Sequence, residues 1–121
     1  MMPAGQYYIG DLCYVMHDKW ETVCSMILFD NHMMDGEHVL NNNIPFACYG
    51  TRWGDGEYFD QQNNRYLVDA GLIGCIRNED IFLYGEHNDS SLGNIITFNE
   101  PFKTGSEEGI IYFGHVEIDT N

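Results

Sequence analysis

Four aspartates are candidates for metal or acid–base chemistry because each lies at or beside a predicted turn. They are Asp11, Asp55, Asp60 and Asp69. If these turns meet at one end of a sheet, the carboxylates converge into the oxygen cluster that Ca²⁺ or Mg²⁺ requires, and the same cluster could hydrolyse a substrate with metal assistance or by acid–base catalysis. The spacing of Asp55 and Asp60 does not fit the calcium-binding loop of helix–loop–helix proteins. In the alternative interpretation, each aspartate accepts backbone N–H bonds in its own turn.

A second group of residues suits an anionic, nucleotide-like ligand. It consists of Arg52 and Trp53 in the glycine-rich loop Gly50–Gly56, together with Tyr49, Tyr58 and Tyr66. Arginine can clamp a phosphate or carboxylate while an aromatic ring stacks on a base. The alternative is that Trp53 covers a sheet edge while Arg52 and Arg65 pair with neighbouring acids. The chain has neither the phosphate-loop motif nor the dinucleotide-binding motif, so phosphate loops of those kinds are excluded.

The charge of the chain is extreme, with 19 acidic and 5 basic residues and a net charge of −14. Direct binding to nucleic acid or to an anionic membrane is not expected, because both depend on Lys and Arg. The acids could instead dock on a basic protein, even by imitating nucleic acid, or bind cations. The alternative is that they only keep the protein soluble. They are dispersed along the chain, which argues against a linear acidic tail.

The four cysteines predict neither a zinc site nor disulfides. Cys13, Cys24, Cys48 and Cys75 are widely spaced and lie within apolar segments, which is typical of reduced core residues. No cofactor is expected, other than a divalent cation if the aspartates converge. Apolar runs are only a few residues long and the N-terminus lacks the pattern of a secretory signal, so we expect a cytoplasmic protein without a membrane span.

The elements that position these residues are mostly strand-like. Gln6–Gly10 and Leu12–Met16 are rich in Tyr, Ile and Val, which predicts two strands with a bend at Asp11. Glu37–Leu40 and Ile44–Tyr49 predict a strand pair, with Pro45 indicating an edge position. The further predictions are a hairpin of Glu57–Gln61 and Arg65–Asp69, a central strand at Gly71–Arg77, a helical turn within Asn78–Tyr84, a loop at Gly85–Gly93, and strands at Leu92–Phe98 and Gly109–Ile118. In the last strand, alternation places Ile110, Tyr112, Val116 and Ile118 on one face.

One segment has helical periodicity. Apolar residues recur every three or four positions from Trp20 to Leu28, and Asp18 with Glu21 forms a capping-box pattern. This predicts one main amphipathic helix over about residues 19–29. The predicted fold is therefore a single α+β domain, 1–121, in which this helix lies on a strongly bent, mostly antiparallel sheet or partly open barrel.

Three blocks of the chain, in this order, resemble a family of small proteins of tailed bacteriophages, T4-like and cyanophage-type viruses among them, and of some bacteria. The blocks are Tyr8–Val15 (YIGDLCYV), Trp53–Asp60 (WGDGEYFD) and Val68–Gly74 (VDAGLIG), the last preceded by Tyr66. The chain departs from the family pattern at Leu12, Trp53 and Asn64, where Pro, Tyr and Gly are usual. The resemblance implies a virus-encoded or bacterial accessory protein acting in a bacterial cytoplasm, and it brings no activity with it.

Three functions follow as hypotheses. The first is a non-enzymatic acidic protein that binds a basic host or viral protein, with its acids gathered over one face. The second is a small-ligand binding or sequestering protein, with a pocket built from the Asp11 bend, the Gly50–Gly56 loop and Asp69–Gly71. Its candidate residues are Asp11, Arg52, Trp53, Asp55, Tyr58, Asp60 and Asp69. The third is a metal-dependent hydrolase that uses Asp11, Asp55, Asp60 and Asp69. The first is the preferred interpretation, since no catalytic motif is present.

Overall fold

The computed structural model describes residues 1–16, 20–29, 32–33, 35–40, 43–81 and 92–121. The described chain consists mainly of strands, in the order β1 (Gly5–Gly10), β2 (Leu28–Phe29), β3 (His32–Met33), β4 (Gly36–Val39), β5 (Pro45–Gly50), β6 (Gly56–Asp60), β7 (Arg65–Val68), β8 (Leu72–Arg77), β9 (Asn94–Phe98), β10 (Thr104–Glu107), β11 (Ile110–Phe113) and β12 (Val116–Asp119). Its helices are α1 (Trp20–Ile27) and α2 (Asn78–Ile81), and a 3₁₀ turn spans Leu12–Tyr14.

Ten of these strands form two antiparallel sheets. The first sheet has the order β4-β5-β8-β1-β9, and the second has the order β10-β11-β12-β6-β7. The remaining strands, β2 and β3, pair as a separate short ribbon. The chain passes from the second sheet to the first between β7 and β8, in the turn Asp69–Gly71.

The first sheet is the middle layer of the molecule, because both of its faces are buried. One face packs against the second sheet, with Tyr7 and Ile73 contributing to the same apolar cluster as Tyr66 and Phe113. The other face packs against the helical segments in a second cluster, whose members include Tyr8, Phe46, Leu12, Val23 and Ile81. Strands buried on two faces are apolar along their whole length, which explains the continuous run Leu72–Arg77 in β8.

The predicted α+β fold class is wrong. The chain forms two packed five-stranded sheets where one bent sheet or open barrel was predicted, and the fold is nearly all-β. A helix does occur within the predicted segment, but α1 has only eight residues and ends at Ile27, where the chain enters β2. It is not a main element, and among its residues 20–25, whose burial the structure describes, Val23 is the fully buried one. The predicted capping residue, Asp18, lies outside the described residues.

The error arose mainly at the C-terminal end. A single strand was predicted for Gly109–Ile118, with Ile110, Tyr112, Val116 and Ile118 on one face. The chain instead turns at Gly114, which has a φ of 59°, so β11 and β12 form a hairpin. The turn shifts the alternation by one residue, and the buried side chains are those of Ile111, Phe113, Val116 and Ile118. The neighbouring strand β10 was not predicted.

Two local predictions were also wrong. Leu12–Met16 is not a strand, because the Asp11 side chain caps a 3₁₀ turn there. Pro45 does not mark an edge strand, since β5 lies between β4 and β8. Proline is tolerated because it is the first residue of β5.

The central part of the chain agrees with the predictions. The pairs β4–β5 and β6–β7 are antiparallel as expected, and β8 lies inside the first sheet. Asn63 has a φ of 68° in the turn of the β6–β7 hairpin, which asparagine tolerates well. The predicted helical turn is present as α2, and the loop predicted for Gly85–Gly93 falls largely outside the described residues.

The packing of the middle sheet can be tested at Gly74. A Cβ at Gly74 would collide with the carbonyl oxygen of Ala47 and lie 2.9 Å from the side chain of Leu12. We predict that Gly74→Ala lowers the free energy of unfolding by about 3 kcal/mol, the upper range for overpacking, as measured by urea denaturation.

The matched control is Gly54→Ala. Gly54 has a φ of +77° but no atom within 4 Å of an added Cβ, so only backbone strain of about 1 kcal/mol is expected. Equal losses in the two variants would contradict the close contact between β8 and β5.

Candidate functional site

Asp11 is fully buried, and its carboxylate is bound by backbone N–H groups on both oxygens. Oδ1 accepts from the amide of Cys13 at 3.0 Å, which caps the 3₁₀ turn. Oδ2 accepts from the amides of Asp69 and Ala70, at 2.8 and 2.6 Å. A carboxylate engaged in this way connects the end of β1 to the turn between β7 and β8, and its oxygens are occupied by the protein itself.

The glycine-rich loop also meets this turn. The amide of Thr51 donates to the carbonyl of Gly71 at 3.0 Å, and the Thr51 hydroxyl donates to the carbonyl of Gly54 at 2.5 Å. The three segments proposed as a pocket therefore do come together, but they close against one another through hydrogen bonds. Asp55 and Asp69 project from them as exposed side chains.

Asp60 lies at the opposite end of the β6–β7 hairpin from Asp55 and Asp69, because Gly56 pairs with Val68 while Phe59 pairs with Arg65. Its Oδ1 accepts from the amides of Gln62 and Asn64. Its Oδ2 accepts from the Asn64 side chain and from the hydroxyl of Tyr66, at 3.0 and 2.8 Å. Burial opposes ionisation, but these hydrogen bonds outweigh it and hold the pKa of Asp60 below its usual value.

The four candidate aspartates are therefore not brought together into one carboxylate cluster. Two of them, Asp11 and Asp60, stabilise turns from buried positions, as the alternative interpretation proposed. Within the part of the chain that the structure describes, no group of three or more His, Cys, Asp or Glu side chains is arranged to hold a metal ion.

The residues proposed as a nucleotide-like pocket are also separated. Tyr49, Tyr58 and Tyr66 belong to the core between the sheets. Their hydroxyls bind Thr104, the carbonyl of Gly54, and Asp60, respectively.

The Trp53 side chain is 69% exposed, and the Arg52 guanidinium donates to Oδ1 of Asn121 at 2.7 Å. Arg65 forms an ion pair with Glu57 at 3.8 Å. Among the ion pairs between described residues, none involves Arg52.

Burial raises the pKa values of the cysteine thiols. All four are free thiols, and Cys48 and Cys75 are buried. Burial and the nearby Asp11 carboxylate raise the pKa of the Cys13 thiol, which keeps it protonated at neutral pH. Burial raises the pKa of Cys48 to about 12. Thiolate nucleophiles are not expected at these positions.

The outer face of the second sheet has a different character. The strand register places one row of side chains across all five strands, in the order Glu107, Ile110, Asp119, Phe59, Arg65. A second row contains Gly105, Tyr112 and Glu117. Residues paired in this way lie on the same face of the sheet, about 5 Å apart. We call this surface the outer face, and it also includes Glu57 and the adjoining loop residue Trp53.

The outer face combines exposed carboxylates with exposed apolar side chains. The exposed acids are Glu57, Glu107, Glu117 and Asp119. Arg65 is the basic residue among the strand residues of this face. Phe59 is 41% and Trp53 69% exposed. Three shallow hollows lie on this surface. One of about 520 Å³ lies beside Trp53, Glu57 and Asp119, and one of about 620 Å³ lies beside Glu107, Tyr112 and Glu117. The third, of about 420 Å³, lies between them beside Phe59, Ile110 and Asp119.

A side-chain hydrogen bond extends this sheet. The Gln61 side chain donates to the carbonyl of His115 at 2.5 Å and accepts from the amide of Glu117 at 2.9 Å. Gln61 thereby takes the place of a paired backbone residue beyond the end of β6. This contact fixes Glu117 on the outer face.

Of the site residues predicted from the sequence, Trp53 lies on the outer face, whereas Tyr58 lies in the core. Most of the outer face was missed. Ile110 and Tyr112 were placed on the same side as Val116 and Ile118, which are buried. A turn signal at Gly114 was available and would have moved Glu117 and Asp119 to the side of Ile110 and Tyr112.

Comparisons of the chain with protein-family models, with curated proteins and with solved structures give no match. Among the helices of the described residues, none is both long enough and apolar enough to cross a membrane.

The structural role of Asp11 predicts a loss of stability when its carboxylate is removed. Asp11→Ala leaves three backbone N–H groups without an acceptor, so we expect the free energy of unfolding in urea to fall by about 3–5 kcal/mol. Asp11→Asn keeps one acceptor oxygen, so its free energy of unfolding should fall by less.

The exposed Asp69 serves as control, and Asp69→Ala should change stability by no more than about 0.5 kcal/mol. Comparable losses for Asp11→Asn and Asp69→Ala would contradict this role.

Asp60 predicts a specific dependence of stability on pH. Because its pKa is lower in the folded than in the unfolded protein, its contribution is present above the unfolded value and is lost as the pH falls through the folded value. Asp60→Asn should therefore cost about 2 kcal/mol at pH 7 and progressively less toward pH 2.5, measured by urea unfolding across this range. A difference from the unmodified protein that stays constant with pH would contradict the assignment.

Proposed function

We propose that the protein is a non-enzymatic binding protein that docks on a basic segment of a host or viral protein through its outer face. The single observation that carries this proposal is the register that places Asp119 between Ile110 and Phe59, in a row that begins at Glu107. Acidic and apolar groups thus alternate across an exposed sheet. A surface of this kind complements a segment that carries Arg or Lys among apolar residues.

The charges on the outer face favour a cationic partner. Glu107, Glu117 and Asp119 take part in none of the ion pairs between described residues, so a partner need not displace a cation already bound to them. The rings of Phe59 and Trp53 lie beside Asp119 and Glu57 around the same hollow. A guanidinium group can stack on such a ring while it donates to a carboxylate, so arginine suits this surface better than lysine.

The same charges weaken the small-ligand alternative. Asp55, Glu57 and Asp119 surround the hollow beside Trp53, and they would repel the phosphates of a nucleotide. The hydrolase alternative has less support, since the buried Asp11 and Asp60 already accept hydrogen bonds from the protein on both oxygens. A binding role requires neither a free carboxylate pair nor a reactive thiol.

The likeness of the three sequence blocks to phage proteins gives this proposal a setting. A virus-encoded accessory protein in a bacterial cytoplasm encounters many proteins with basic surfaces, because nucleic-acid-binding proteins expose Lys and Arg. The outer face would occupy such a surface and compete with nucleic acid for it.

The proposal predicts that binding depends on particular acids rather than on net charge. A fluorescently labelled Arg-rich peptide is titrated with the protein, and binding is followed by anisotropy. The double variant Glu117→Gln/Asp119→Asn should weaken binding about 3- to 10-fold, because each exposed pair contributes up to about 1 kcal/mol. Binding should also weaken as salt is added.

The matched control removes two acids elsewhere. Glu79 and Asp69 are exposed and lie off the outer face, so Glu79→Gln/Asp69→Asn makes the same change in net charge. We expect its affinity for the peptide to stay within about 2-fold of the unmodified protein, since distant exposed charges are screened. Equal weakening by both double variants, or no binding of the Arg-rich peptide, would contradict a docking site on the outer face.

A further inference from the structure

We propose that β9 is a self-association edge, at which two copies of the chain pair β9 with β9 in antiparallel orientation. The pairing would join two five-stranded first sheets into one continuous sheet of ten strands. This proposal concerns a different surface from the outer face and does not depend on the proposed function.

The two sheets have four edge strands, which are β4 and β9 in the first sheet and β10 and β7 in the second. Charged residues on edge strands protect proteins against unwanted strand pairing. Three of these edges carry one, namely Glu37 on β4, Glu107 on β10 and Arg65 on β7. The β9 strand, with the sequence NIITF, has no charge, no proline and no glycine.

Part of the backbone hydrogen-bonding groups of β9 face away from its partner strand β1. It pairs with β1 on one side along its whole length, from Gly5–Phe98 to Ile9–Asn94. Alternate backbone groups of a strand point to opposite sides, so part of its N–H and C=O groups face away from β1. Among the described residues, no strand pairs with that other side of β9, and the Asn94 side chain donates to the carbonyl of Arg65.

The side chains of β9 match those of a second copy of β9 in antiparallel orientation. An antiparallel pair centred on Ile96 matches all five residues of the strand, with Ile95 of each copy opposite Thr97 of the other. Both side chains are exposed, Ile95 to 40%, and they lie on the same face. Pairs of β-branched residues are favourable across strands, and a pair related by a two-fold axis forms this contact twice.

The lack of charged side chains on β9 also indicates which kind of partner it pairs with. An uncharged strand offers nothing that recognises a basic or acidic peptide, whereas a second copy supplies a matching row of β-branched side chains. The two copies repel through their net charge of −14 each, so added salt should strengthen this association. Salt has the opposite effect on the binding of a basic peptide at the outer face. The contact is short, which predicts a weak and reversible dimer.

The test uses the full chain in sedimentation-velocity experiments over a wide range of concentrations, at low and high salt. We expect a monomer that converts to a dimer as concentration rises, and more readily at high salt. The variant Ile95→Glu/Thr97→Glu should remain monomeric, because it places like charges opposite one another twice. The variant Ile95→Lys/Thr97→Lys should also be monomeric, and an equimolar mixture of the two should form a heterodimer.

The control is Val39→Glu, which adds a charge to the exposed β4 edge, where Val39 is 55% exposed. It should associate as the unmodified protein does. A second readout, independent of the variants, is amide hydrogen exchange, which should slow in β9 as the protein concentration rises. A protein that stays monomeric throughout, or a mixture of the Glu and Lys variants that does not associate, would overturn the proposal.

Discussion

The carboxylate of Asp11 joins the two sheets at one of the points where the chain passes between them, the turn from β7 to β8. Asp11 follows β1 of the first sheet, and the amides that it binds belong to Asp69 and Ala70, which link β7 of the second sheet to β8 of the first. The same turn holds the Thr51 loop through the carbonyl of Gly71. A buried carboxylate with several backbone donors is stable, but it becomes costly once a donor is lost. The packing of one sheet on the other therefore depends on this contact.

This arrangement divides the acidic residues into two kinds. Asp11 and Asp60 are buried and serve the fold, because their oxygens accept hydrogen bonds within turns. The acids of the outer face lie on strands whose opposite side chains, such as Ile111 and Ile118, form the core. The core thus fixes the positions of the outer carboxylates, although they make few contacts of their own. In this way the fold places the acidic residues of the outer face in a defined pattern.

The sequence predicted those parts of the fold that local signals specify. Alternating and continuous apolar runs with asparagine turns were sufficient for β4–β5, β6–β7 and the central strand β8. The second sheet was missed because β10, with the sequence TGSE, has a weak strand propensity. Its Gly105 lies opposite Tyr112, whose ring covers it, and this stabilisation exists only after the strands have paired. The long-range register, and with it the outer face, could not be read from local propensity.

The candidate residues show the same limit. One hypothesis from the sequence placed Asp11, the glycine loop and the Asp69 turn around a common pocket. In the structure these segments are joined by hydrogen bonds. The sequence gave no indication that the Asp11 carboxylate would be occupied by backbone N–H groups of the Asp69–Ala70 turn. Whether a side chain binds its own turn or an external molecule depends on the partners that the fold supplies, and these lie about 60 residues away in the chain.

The central claim is that the outer face of the second sheet is where a basic partner binds. The most direct measurement is an NMR titration of the isotopically labelled protein with the Arg-rich peptide, in which amide shifts are followed residue by residue. The account predicts that the largest changes map to β6, β11 and β12, around Phe59, Tyr112 and Asp119. Changes spread evenly over exposed acids, or centred on the Asp11 and Asp69 turns, would contradict it.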